Sequence, residues 1–128
     1  MQKTTVSSIS RLAAAFAVAA ISVLALAGCA TTEKIDMTTI DSVIDVRTPE
    51  ETATGFLEGA LLIDIQGADF AAQIDALDRT GNYVVYCRSG NRAGQAVEYM
   101  KSAGFTGTLI NAGPIADASN ATGLTIVQ

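Results

Sequence analysis

The chain has 128 residues, 13 acidic against 8 basic, with two cysteines and no histidine. This length suits one domain, and the acidic balance excludes nucleic-acid binding, which needs a basic footprint. Without histidine there is no Cys-His nucleophile pair, no Ser-His-Asp triad and no histidine metal site, so cysteine chemistry here runs without an imidazole base and without an expected metal or cofactor.

Residues 1–28 read as a leader. Met1 to Arg11 is basic and polar, and Leu12 to Ala27 is nearly all apolar and small. That run is shorter than the roughly 20 residues that span a bilayer. It ends in Leu26-Ala27-Gly28-Cys29, which resembles the bacterial lipobox. The resemblance implies a lipid on Cys29; the alternative is an ordinary signal peptide. Each buried acyl CH₂ contributes roughly 0.8 kcal/mol, so two or three chains anchor stably. The expectation is an exported, membrane-anchored lipoprotein facing the periplasm or the cell exterior. Residues 29–40 would be its lipidated tether, with a first edge strand near Lys34 to Asp36. With Cys29 acylated, Cys87 has no partner in the chain, and an unpaired cysteine outside the cytoplasm points to a reactive thiol.

The globular domain is expected over 41–128. Ser42 to Val46 reads as a strand, with Asp45 and Arg47 on one side of it by period two. Thr48-Pro49-Glu50-Glu51 opens a short helix, with Thr48 as N-cap, Pro49 in the first turn and Glu51 completing a capping box. Gly55 ends that helix. Leu61 to Ile65 is the next strand. Asp69 to Asp78 is amphipathic, with Phe70, Ile74 and Leu77 at helical spacing, and Thr80-Gly81-Asn82 is a turn.

Tyr83 to Tyr86 is a short apolar run that reads as a buried strand. It stops at Cys87. The loop Arg88-Ser89-Gly90-Asn91-Arg92 follows, and then Ala93, Ala96, Val97 and Met100 recur at helical spacing up to about Ala103, with Gly104 closing the helix. Cys87 therefore stands at a strand-to-helix corner, where loop and first-turn N–H groups converge on an anion. Such surroundings, with arginines nearby, lower a cysteine pKa. The bland alternative is a buried, inert cysteine; amides turned away from the sulfur, or a sulfur sealed in apolar packing, would favour it. Thr108 to Ile110 reads as the last strand. The tail from Ala116 to Gln128 either packs along the domain or extends the sheet.

The Cys87-Arg88-Ser89-Gly90-Asn91-Arg92 loop resembles the active-site loop of the rhodanese (thiosulfate sulfurtransferase) family, and Ile44-Asp45-Val46-Arg47-Thr48-Pro49-Glu50-Glu51 resembles that family's other signature. The short chain with a leader is similar to the small exported single-domain type represented by phage shock protein E. The resemblance covers about Asp41 to Asn111. It implies a three-layer α/β domain with a mainly parallel central sheet flanked by helices, as the strand–helix alternation also does. Four departures stand out. Phe56 and Glu58 replace the histidine and proline of the family's Gly-His-Ile-Pro-Gly-Ala turn. Pro114 replaces the second glycine of a Gly-Gly turn in Asn111-Ala112-Gly113-Pro114. A tryptophan common just beyond it is absent.

The activity implied is transfer of a sulfane sulfur from thiosulfate or a similar anionic donor to cyanide or a thiol, through a persulfide on Cys87. Arg88 to Arg92 would bind the donor: Arg88 and Arg92 by charge, Ser89 by a hydrogen bond, Gly90 by allowing close approach, Asn91 by closing the loop. Asp45 and Arg47 either form a structural ion pair or shape the sulfur site. A phosphatase or arsenate reductase of similar fold places arginine six positions after the cysteine; here that position is Ala93. The rival from another class is a non-catalytic or persulfide-carrying binding module in the cell envelope.

Overall fold

Two parallel strands, β1 (Ser42–Asp45) and β4 (Tyr83–Cys87), form the centre of the computed structural model, which describes residues 32–128. The leader and the acylation expected at Cys29 lie outside the described residues. β1 and β4 pair from Ser42 opposite Tyr83 to Asp45 opposite Tyr86. β3 (Leu61–Leu62) joins the far side of β1, and β5 (Leu109–Pro114) the far side of β4. The sheet order is β3-β1-β4-β5, all parallel.

Both faces of the sheet are covered, which is why β4 is a continuous apolar run and not an alternating one. On one face Ile44, Val46, Tyr83, Val85 and Cys87 pack with Ile74 of α2 (Phe70–Asp75) and with Ala93, Ala96, Val97 and Met100 of α3 (Asn91–Ser102). On the other, Val43, Val84 and Tyr86 pack with Leu57 and with Ala118 of α4 (Ile115–Thr122). The three-layer α/β architecture expected from sequence is therefore present. The α3 stripe at i, i+3, i+4 and i+7 is buried in full, and Gly104, at φ 91°, follows its end.

The first helix, α1 (Pro49–Thr52), carries the expected capping box. The Glu51 N–H donates to Thr48 Oγ1 and the Thr48 N–H donates to Glu51 Oε2. Elsewhere the elements differ from expectation. No strand forms at Lys34 to Asp36. Asp36 instead caps a 3₁₀ turn at Met37–Thr39, while Ile35, Met37 and Ile40 pack against the α4-side cluster. β3 is only two residues long, although Ile63 and Ile65 still donate to the carbonyls of Asp45 and Val46 at 2.9 and 3.2 Å. Within the Gly55–Ala60 turn a short strand, β2 (Phe56–Leu57), pairs antiparallel with β6 (Ile126–Val127) from the tail. The tail therefore both packs, through α4, and builds a second small sheet.

β5 runs four residues past Ile110, to Pro114. Pro114 sits opposite Cys87 and then caps α4 with φ −64°, a value its ring prefers. The left-handed conformation needed in this turn falls on Gly113, at φ 73°. Proline in place of the second glycine is therefore accommodated without strain.

Candidate active site

Cys87 ends β4, three residues form the loop, and α3 begins at Asn91. Gly90 caps the helix at φ 90°, a backbone conformation natural only to glycine. An added Cβ there would come within 3.1 Å of Gly113 Cα. This turn bends the chain over the sulfur. The Gly90 N–H donates to Cys87 Sγ at 2.9 Å and the Ala93 N–H at 3.5 Å.

Cys87 is 0% exposed and lies in the apolar cluster under α3. Its sulfur is nevertheless surrounded by donors. Burial pushes the thiol pKa up, but the backbone N–H groups of Ala93, Ser89, Gly90 and Arg92 more than offset it, and the thiol lies below its ordinary 9.0. Amides are therefore turned toward the sulfur, and the side chain is covered at the same time. Apolar burial alone would raise the pKa; the downward direction is the property of the loop.

The remaining loop residues divide by environment. Arg88 and Ser89 are exposed. Arg88 makes no ion pair or side-chain hydrogen bond among the described residues, and lines a shallow depression of about 330 Å³ with Arg47, Glu50, Glu51 and Thr54. Ser89 Oγ faces the Asn91 N–H at 3.5 Å rather than the sulfur. Asn91 opens α3 with its side chain exposed. The Arg92 guanidinium turns to Glu51 and forms a two-pronged ion pair at 2.7 and 2.8 Å.

Asp45 and Arg47 form a buried pair, with Arg47 Nη2 2.7 Å from Asp45 Oδ2 and the residues 7% and 0% exposed. Asp45 also accepts from the Arg47 backbone N–H at 3.0 Å. Arg47 Nη2 donates to the Gly55 carbonyl at 2.6 Å, and its guanidinium lies 5.8 Å from the centre of the Tyr86 ring. The Tyr86 hydroxyl accepts from the Leu57 N–H at 2.8 Å. These contacts tie β1, β4 and the Gly55–Leu57 turn together. Arg47 and Arg88 line the same depression.

Three contributors carry no signal in the sequence that singles them out as site residues. The Ala93 amide lies one residue beyond the expected donors, and only the pitch of the first α3 turn brings it to the sulfur. Glu51 was visible as a capping residue but not as the partner of Arg92. Asn111 reads from sequence as part of a turn; its Nδ2 donates to the Gly90 carbonyl at 2.9 Å.

Comparison with known proteins gives the family. A family profile described as the rhodanese-like domain matches residues 30–118. YtwF of Bacillus subtilis (strain 168) is 33% identical over 84 residues, 66% of this chain and 80% of YtwF. The thiosulfate sulfurtransferase PspE of Escherichia coli (strain K12) is 32% identical over 74 residues, 58% of this chain and 70% of PspE. Among solved structures, the Rhodanese_3-like domain of Anabaena sp. Alr3790 matches with a TM-score of 0.58 at 26% identity, covering 68% of this chain and 98% of that one. A rhodanese from E. coli, determined with anions, matches with a TM-score of 0.56 at 29% identity, covering 68% and 96%. The profile match takes in β1, the Cys87 loop and α3, and by it this chain belongs to the rhodanese-like family.

Proposed function

We propose that the domain is a sulfurtransferase that moves a sulfane sulfur from thiosulfate, or a similar small anion, to a thiophilic acceptor such as cyanide or a thiol. The Cys87 thiolate attacks the outer sulfur of thiosulfate. The bond between the two donor sulfurs breaks, sulfite leaves with the electron pair, and Cys87 becomes a persulfide anion. The acceptor anion then attacks the terminal sulfur, forming thiocyanate or an acceptor persulfide and returning the Cys87 thiolate. No oxidant or proton is consumed, and the covalent intermediate divides one transfer into two displacements.

The observation that carries this reading is the pair of backbone donors on Cys87 Sγ, from Gly90 and Ala93. Without an imidazole, these fixed dipoles hold the sulfur as a thiolate and then stabilise charge on the persulfide. Arg88 supplies positive charge for the donor's oxygens. Ser89, Gly90 and Asn91 give the loop its shape, and Arg92 braces it through Glu51. Cys87 is covered, and the exposed loop residues beside it are Arg88 and Ser89.

The test is intact mass after thiosulfate treatment, beside turnover with thiosulfate and cyanide. Cys87 should gain one sulfur, and Cys87→Ser should lose both the mass gain and the turnover. Equal turnover in the two proteins would remove Cys87 from the chemistry.

Complete burial of Cys87 favours a second reading, a non-catalytic or persulfide-carrying module in the envelope. A stable persulfide without turnover identifies the carrier; no mass gain at all identifies the inert module. For location, the leader and the Leu26-Ala27-Gly28-Cys29 sequence support export and lipid anchoring at Cys29. A Cys29→Ser chain that still fractionates with membranes would refute that anchoring.

A further inference from the structure

β5 carries an extra residue opposite β4. Val85 pairs with Asn111, but Cys87 pairs with Pro114. Two steps along β4 thus match three along β5, and the surplus is absorbed as a bulge at Ala112–Gly113, where Gly113 takes φ 73°. Bulges beside active sites re-aim the chain. The Asn111 side chain closes this one: its Oδ1 accepts from the Gly113 N–H at 2.9 Å.

The other end of the same side chain reaches the sulfur loop. Asn111 Nδ2 donates to the Gly90 carbonyl, which also accepts the first helical bond of α3, from the Gly94 N–H at 3.0 Å. Reversing the amide would set its oxygen against a carbonyl and its NH₂ against an N–H, so one orientation satisfies both partners. Gly90 is the pivot of the cradle. Its own N–H is on Cys87 Sγ, and its φ of 90° directs the following peptide into α3. A glycine pivot has wide conformational freedom of its own, so the restraint must come from outside the loop.

We propose that Asn111 is a positioning residue for Cys87: it pins the Gly90 carbonyl to the β5 bulge and so keeps the loop amides on the sulfur. The consequence for turnover rests on the sulfur-transfer reading; the consequence for the thiolate does not. The charged groups around this link are Arg88, Arg92 with its partner Glu51, Asp64, whose charge acts on Arg92, and Asp117, which lies near Gly113.

The test is the pH profile of Cys87 alkylation by iodoacetamide in the full chain, read on the Cys87 peptide by mass, beside thiosulfate:cyanide turnover and the urea midpoint. Asn111→Ala removes both hydrogen bonds. Asn111→Asp keeps the acceptor for Gly113 and loses the donor to Gly90. In both, the alkylation midpoint should move to higher pH. At pH 6 Asn111→Ala should react about fivefold more slowly, as expected for one modest hydrogen bond, and converge on the parent protein at alkaline pH. A purely structural role would shift the urea midpoint and leave the alkylation midpoint in place. An unmoved alkylation midpoint in either folded variant overturns the proposal. A moved midpoint in a protein that never turns over thiosulfate leaves Asn111 in its role and sinks the transferase reading instead.

Discussion

Glu51 and Arg92 meet through both prongs of each side chain, Nη1 to Oε2 at 2.7 Å and Nη2 to Oε1 at 2.8 Å, across 41 positions of sequence. The same Oε2 accepts the Thr48 N–H at 3.0 Å. One carboxylate therefore completes the cap of α1 and clamps the first turn of α3, whose Arg92 and Ala93 amides face Cys87. The clamp commits the Arg92 guanidinium to Glu51 and leaves Arg88 as the loop cation without a partner among the described residues.

That clamp is sensitive to acid. The hydrogen bond from Arg92, foremost, holds the Glu51 carboxyl down to about 2, below its ordinary 4.5. A carboxylate lowered on folding stabilises the native state fully above its unfolded pKa, and that contribution is lost as pH falls through the folded value. Stability should therefore decline from about pH 4.5 toward about pH 2. The pair is partly exposed, so its net contribution is about 1 to 2 kcal/mol. Glu51→Gln keeps the cap to Thr48 and removes the charge. Urea midpoints measured across this range should show a lower plateau and a flatter acid slope for the variant. Superimposable curves would refute the clamp.

Arg88 should govern affinity for an anionic donor. Its side chain is unpaired among the described residues and faces the depression that also holds Arg47. Arg88→Ala should raise the KM for thiosulfate about tenfold, equivalent to roughly 1.4 kcal/mol, with a smaller change in kcat. Arg88→Lys should recover part of the loss. The effect should shrink at high salt, as an exposed electrostatic attraction does. Steady-state kinetics at two ionic strengths check this; an unchanged KM for Arg88→Ala would mean the donor binds elsewhere.

Asp45 and Arg47 should dominate stability. Removing one member of a buried ion pair strands the other and costs about 3 to 5 kcal/mol, a large share of the roughly 5 to 15 kcal/mol that holds a small domain together. Asp45→Asn should therefore lower the urea midpoint severely. Asp45→Ala combined with Arg47→Met should be less harmful than the two single losses added, because no charge is left unpaired. Strict additivity of the two would refute coupling through the pair.

Much of the fold was legible because its signals are local. The Tyr83–Cys87 run, the α3 stripe, the Thr48–Glu51 box and Gly104 each lie within one or two helical turns or strand lengths of the residues they organise. The ends of β5 and the identity of β2 and β6 were not legible in this way. β5 outlasts its apolar run because its bulge keeps it in register with Cys87, and β2 exists only because the tail returns to pair with it.

The sequence by itself determined the sulfur's setting. A cysteine at a strand end, the polar loop Arg88 to Arg92 and a helical pattern from Ala93 turn loop and first-turn amides toward an anion at that corner, and the structure selects Gly90 and Ala93 among them. Tertiary structure decided what holds that setting still: Arg92 on Glu51, Asn111 on Gly90, and Arg47 on Gly55. The reason is distance along the chain. Bonds within a turn follow from backbone geometry that neighbouring residues specify, whereas these braces join segments whose relative positions exist only once the sheet has registered and the helices have packed upon it.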